Sequence, residues 1–298
     1  MYILAILSAF GTAAVHGGAN ILDSYFSNTL FKRLSSIIFF ASATNVLFLP
    51  IVFIFGLPHM LTLPLLGIVL LISIIEIAYQ FPYLQSFREA DTSVVTSLFS
   101  VGELIIPLFA FLFVGERLMP AQYAGFFIII IASALISFNP KKFRLSRAAF
   151  LMLGVSIILA LQTVLYKYLF ESGVTWGTAM TWTAIVQLVI ATGLILVPKN
   201  RADLKNFGAK MRQAGPLFAF TNILSWAGEA LGSFALVMLP ASIVHGITGI
   251  QPIFVLVMAI LLAGKFPKIF KEELSGGVIV KKLILFGIMI VGIILVTI

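Results

Sequence analysis

Residues 239–266 read LPASIVHGITGIQPIFVLVMAILLAGKF, and residues 90–118 read ADTSVVTSLFSVGELIIPLFAFLFVGERL. Laid beneath one another without a gap, Ser93 falls on Ser242, Val94 on Ile243, Val95 on Val244 and Gly115 on Gly264. Each run is apolar for about the 20 residues that a helix needs to cross a bilayer. The run from Asp91 to Leu118 carries a carboxylate, Glu103, near its middle, where its counterpart has Pro252. One segment type is thus written twice, with an acid as the main departure.

The rest of the chain fits that reading. Of its 298 residues 61% are hydrophobic and 10% charged, with a mean hydropathy of +1.13. Soluble domains run at about 45–50% apolar and about 25% charged, so an integral membrane protein is the class that fits. At about 20 residues per span there is room for roughly ten. Ten apolar segments are marked at 2–22, 34–56, 61–85, 92–114, 119–138, 147–168, 175–197, 214–238, 241–263 and 279–297. They are expected to be helices, because a spanning segment must satisfy its own backbone hydrogen bonds, and the alternation of a membrane β-barrel is missing. Joints such as Leu239-Pro240-Ala241 and Met119-Pro120 are short enough to demand antiparallel hairpins. The segments at 119–138 and 279–297, almost free of polar groups, are expected to face lipid or a partner subunit.

The net charge of +8 comes from basic residues scattered among short loops, which argues against nucleic acid as a partner. If the odd-to-even joints lie on one side, that side holds every Lys and Arg except Arg117 and Lys167. Short basic loops stay in the cytoplasm, so both termini are expected outside a cytoplasmic membrane, plasma or inner. No positive residue precedes Lys32, so the N-terminal MYILAILSAFG reads as a retained span rather than a cleaved signal. Cysteine is absent, which excludes disulfides and thiolate metal sites.

A second repeat links the first segment to the sixth: Gly11 meets Gly154, Leu22 meets Leu165 and Tyr25 meets Tyr168. Five spans per half is an odd number, so residues 1–140 and 141–298 are expected to form two five-helix repeats of opposite orientation in one membrane domain. Inverted repeats of this kind accompany secondary transporters that hold substrate near the midplane. The fold class read from sequence is therefore an all-α integral membrane protein of ten transmembrane helices in two inverted five-helix repeats.

The layout, together with Gly115-Glu116-Arg117-Leu118 closing the fourth segment, resembles the drug/metabolite transporter (DMT) superfamily and its ten-helix EamA-like branch. Pro252 keeps that family's mid-helix proline in the second half, while Lys265 stands where the acid would be. The resemblance implies alternating access for small metabolites, amino acids or organic cations.

Glu76, Glu103 and Glu229 lie well inside spans. An ionised acid at the bilayer centre costs on the order of 3 kcal/mol, so such residues face a cavity, pair with something or take up a proton. A neutral glutamate bonded to the next helix is the structural alternative. Lys167, near a span end, is expected to snorkel outward rather than meet them. Tyr79 follows Glu76 by three residues and Trp226 precedes Glu229 by three, so each pair shares a helix face. An aromatic face beside a carboxylate suits an ammonium group, and plain core packing is the alternative. Trp176 and Trp182 lie in the outer half of the seventh segment, and Trp176, near a boundary, reads as an interface anchor. His16 and Asn20 stand one turn apart and are expected to line the cavity. His16 is either a proton relay or a packing residue. Gln251, His245, Asn45, Gln80, Gln162, Gln187 and Asn222 complete the polar groups at membrane depth. Gly228 and Gly232 form a small-residue face for close helix approach. Pro82, Pro107 and Pro252 should kink their spans.

The candidate substrate-binding residues are Glu103, Glu229, Trp226, Glu76, Tyr79, His16, Asn20, Gln251 and Trp182. No catalytic residue, metal site or cofactor is expected. The function read from them is secondary transport of an amine-bearing or cationic metabolite, with proton coupling as a further expectation. A choline-type importer, a channel and an intramembrane lipid-modifying enzyme are the alternatives. The expected partners are the lipid bilayer, the substrate and protons, in a monomer or homodimer.

Overall fold

A computed structural model describes residues 1–29, 33–89, 103–137, 147–197, 200, 207–262 and 276–298, and among them there is no strand. The helices are α1 (Tyr2–Thr29), α2 (Leu34–Leu47), α3 (Leu49–Val52), α4 (Leu63–Glu89), α5 (Ile106–Val114) and α6 (Pro120–Ser137). They continue with α7 (Arg147–Glu171), α8 (Trp176–Leu196), α9 (Phe207–Met238), α10 (Ala241–Thr248), α11 (Gln251–Leu262) and α12 (Gly276–Thr297). Six stretches among the described residues are long and apolar enough to cross a membrane: Tyr2–Asp23, Leu34–Phe55, Leu63–Ser86, Phe150–Glu171, Trp176–Leu196 and Val280–Thr297. Pro120–Leu135 and Ala241–Val255 are shorter apolar helices. Asp91, Ser93, Gly264, Lys265 and most of the basic joints, Lys141, Lys142, Lys199 and Lys268 among them, lie outside the described residues.

Among the described residues, a proline stands at a helix start within three of the expected segments. The second bends at Phe48, where α2 ends and α3 restarts with Pro50 in its first turn, followed by a 3-10 turn at Phe53–Phe55. In the fourth, Leu104 and Ile105 form a turn before α5 begins with Pro107 in its first turn. In the ninth, Gly249 and Ile250 separate α10 from α11, and Pro252 follows Gln251. A proline has no N–H to give, and a helix start is where none is required. Pro82, by contrast, sits inside the unbroken α4, where the carbonyl of Pro82 accepts from Ser86 Oγ at 2.7 Å.

Side-by-side packing joins α1 to α9, α4 to α7, α2 to α8, and α6 to α12; α1 also meets α10 and α11, and α5 meets α7. Glycines decide how close two of these pairs come. A Cβ on Gly228 would run into the His16 ring, and one on Gly232 would stand 3.3 Å from Thr12, so the small-residue face of α9 receives α1. Gly125 of α6 and Gly292 of α12 cross so closely that a Cβ on Gly125 would come 2.6 Å from the Gly292 carbonyl. The helices α6 and α12 therefore bury one face on each other, while Ile131, Leu135, Leu283, Ile290 and Ile294 stay exposed on the opposite side. That outer apolar band is what a hydrocarbon environment accepts.

The two-residue joint between α9 and α10, Leu239-Pro240, is held by two charges. Lys167 is buried, and its Nζ donates to the carbonyls of Leu236 (3.1 Å) and Leu239 (3.0 Å) at the end of α9, with Glu171 at 3.7 Å. It does not snorkel, because the unpaired carbonyls of a helix end offer it partners inside. The Glu116 carboxylate accepts from the backbone N–H of Ala241 (2.7 Å) and Ser242 (3.0 Å), the first amides of α10. Gly115 makes that reach possible: at φ +67° it closes α5 in the left-handed conformation, and the N–H of Glu116 bonds the carbonyl of Ala110. Cation on the carbonyl end and anion on the amide end both match the helix dipoles.

Candidate functional site

Between these helices lies a cavity of about 350 Å³, lined from α1, α2, α4, α7, α9, α10 and α11 and by Glu103 ahead of α5. Eight of the nine residues expected to bind substrate line it: Glu103, Glu229, Trp226, Glu76, Tyr79, His16, Asn20 and Gln251. Trp182 does not. Its indole N–H donates to the His59 carbonyl at 3.1 Å, in the joint before α4. The face of α8 that carries Trp182 turns to that joint, and the spacing from Trp176 gave no sign of it.

Glu76 is the most heavily bonded acid. Its Oε2 accepts from Gln162 Nε2, and its Oε1 accepts from the Tyr79 hydroxyl at 3.1 Å and from Gln80 Nε2 at 3.3 Å. The Gln162 bond, at 2.6 Å, crosses from α4 to α7. Four residues further along α7, the Tyr166 hydroxyl donates to Glu229 Oε1 at 3.2 Å. Residues four apart on a helix sit on one face, about 6 Å from one another. Glu76 and Glu229 therefore hang from successive turns of α7, within electrostatic reach of each other.

A second cluster surrounds His245. Thr163 Oγ1 is 2.9 Å from its Nε2, and Glu103 Oε1 is 3.6 Å from its Nδ1. Both Glu103 Oε2 and His245 Nδ1 are buried without a hydrogen-bond partner. His16 stands within electrostatic reach of this histidine from α1.

The third cluster was not anticipated. The Tyr83 hydroxyl lies 3.0 Å from Asn20 Oδ1 and 3.1 Å from Asp23 Oδ2, and with one proton it donates to one of them at a time. Asp23 escaped notice because the first segment was expected to end at Leu22, whereas α1 runs on to Thr29. A usable signal existed: Thr12, His16, Asn20 and Asp23 recur every three or four residues, the period of one helix face. Gln162, Thr163 and Tyr166 form a similar stripe on α7.

Aromatic rings complete the wall. Trp226 stacks on Phe48 with ring centroids 4.6 Å apart, and Tyr79 meets Tyr83 edge-on at 6.2 Å. Trp176, expected at a membrane boundary, donates its indole N–H to Ser233 at 2.9 Å and packs against Phe55. Among the described residues, no three His, Cys, Asp or Glu side chains converge as a metal site would require. The described residues lining the cavity include Asp23, Glu76, Glu103 and Glu229, and none of them is Lys or Arg.

No protein-family model and no curated protein sequence matches the chain. A solved structure described as "Crystal structure of protein" is similar at a TM-score of 0.66, covering 96% of each chain at 12% identity. That likeness extends over nearly all of the fold and speaks to the fold alone. What fold and site define together is a membrane-embedded all-helical protein with a polar, acid-lined cavity inside it.

Proposed function

We propose that the chain is a secondary transporter that moves an amine-bearing or cationic metabolite by alternating access. The observation that carries this reading is the cavity itself, with four carboxylates on its wall and no Lys or Arg. Ionised acids attract cations and repel anions, and a low dielectric strengthens both effects. Aromatic faces at Trp226 and Tyr79 add favourable surfaces for an ammonium. A broken helix bordering the cavity, at Gly249 and Ile250 between α10 and α11, is typical of substrate sites in carriers.

The two-repeat architecture belongs to the same proposal. Exchanging the halves pairs α1 with α7 and α4 with α9, so the packing of α1 on α9 answers that of α4 on α7. The contacts of α2 with α8 and of α6 with α12 map onto themselves. This pattern supports ten spans in two inverted repeats and, with the sequence resemblance, membership of the drug/metabolite transporter group. The charge bias of the joints supports, as part of this proposal, both termini lying outside. Proton coupling fits the same acids, since a carboxylate holds either a proton or a cation.

The test is a thermal-shift screen of purified protein against amino acids, polyamines and quaternary amines, since a ligand that binds the folded state raises its melting temperature. A cationic hit, saturable in liposome uptake and weakened in Glu103→Gln, is the expected outcome. Stabilisation by anionic solutes alone would reject the proposal. Uptake that ignores a pH gradient would remove proton coupling from it.

A further inference from the structure

The geometry points to a cargo with two ammonium groups, an aliphatic diamine or polyamine, held in the cavity between Glu76 and Glu229. This deepens the cation-carrier reading and rests on it.

The placement of the two acids is the first ground. The third and eighth segments, 61–85 and 214–238, align end to end without a gap, and Glu76 then falls on Glu229, Leu71 on Leu224 and Phe81 on Phe234. Each half of the chain contributes one acid from the corresponding helix. In the folded protein the two come together in one cavity, on Gln162 and Tyr166 of α7. A linear diamine has the matching character: two like charges, related by approximate two-fold symmetry, joined by an apolar stem.

Charge balance is the second ground. A single ammonium can neutralise one of the two acids, leaving the other half-buried in a wall without a fixed cation among its described residues. Buried charge without a partner is costly, and removing one member of a buried pair leaves that cost exposed. A dication satisfies both at once. Tyr79, bonded to Glu76, and Trp226, three residues before Glu229, offer aromatic surface for the methylene stem and for cation–π contact.

The other acids fit the role less well. Asp23 shares its tyrosine with Asn20, and Glu103 already faces His245. Neither has an acid as its counterpart in the other half: Asp23 answers to Tyr166, and Glu103 to Pro252.

The experiment compares 1,4-diaminobutane, n-butylamine and choline in thermal-shift titrations of the full-length protein in detergent. The diamine is expected to bind about tenfold or more tightly than butylamine, the margin one added charge-assisted hydrogen bond confers. Glu76→Gln and Glu229→Gln are each expected to cut that margin to about threefold or less, while butylamine remains bound. A series from diaminopropane to diaminooctane, needing no variant, is expected to show an optimum length. Equal affinity for choline or butylamine, a margin that survives both substitutions, or affinity that simply climbs with chain length would overturn the diamine assignment and leave a monovalent cation carrier standing. Binding of no amine at all would overturn both readings.

Discussion

At the scale of single residues, a few side chains hold positions that a change of one group would expose. Glu116 satisfies two amides at the start of α10, so Glu116→Ala is expected to cost about 1–2 kcal/mol, the usual effect of losing a helix cap. Glu116→Gln, which keeps one acceptor oxygen, should fall between, as read from melting midpoints in detergent. Gly228 offers the sharper contrast. Gly228→Ala sets a methyl into the His16 ring and should destabilise by about 1–3 kcal/mol, the usual penalty of overpacking. Gly67→Ala, where nothing lies within 4 Å, should be neutral or slightly stabilising by the same measurement. Equal effects at the two glycines would deny that α1 and α9 meet through Gly228.

At the scale of helices, the sequence was most readable where chemistry is most constrained. A long apolar run admits little besides a helix in lipid, and the acids inside such runs had to find a polar interior. Eight of nine expected site residues accordingly line one cavity. Helix ends were less readable. Asp23 lies beyond the expected boundary of α1; its place on the helix face with Thr12, His16 and Asn20 was legible, but its partner Tyr83, 60 residues away, was not. Lys167 looked like a snorkelling residue for the same reason: the carbonyls that hold it belong to α9. Trp182 is the one expected site residue that does not line the cavity: the polar partner of its indole is the His59 carbonyl, 123 residues away in sequence. The contact of α6 with α12 makes a further prediction. Gly292→Leu would collide with Ile129 and the Gly125 carbonyl of α6 and should lower stability by about 3 kcal/mol, the upper end of the usual range for overpacking. Val291→Leu on the exposed side should leave the melting midpoint nearly unchanged.

At the scale of the whole molecule, the proposed orientation makes a prediction that the absence of cysteine renders clean. A single cysteine at Tyr2 or Ile298 is expected to react with an impermeant maleimide in intact cells, whereas one at Lys142 should react only after permeabilisation. The reverse labelling would invert the topology. The joint at Leu239-Pro240-Ala241 also bears on how such a molecule moves. Lys167 ties α7 to the end of α9, while Glu116, just beyond α5, ties itself to the start of α10. Parting α7 from α9 at this end strands a buried ammonium; parting α5 from α10 strands two amides. In the carrier proposed above, the joint would act as a clasp: these four bonds set a cost on opening the bundle at this end, whatever moves elsewhere.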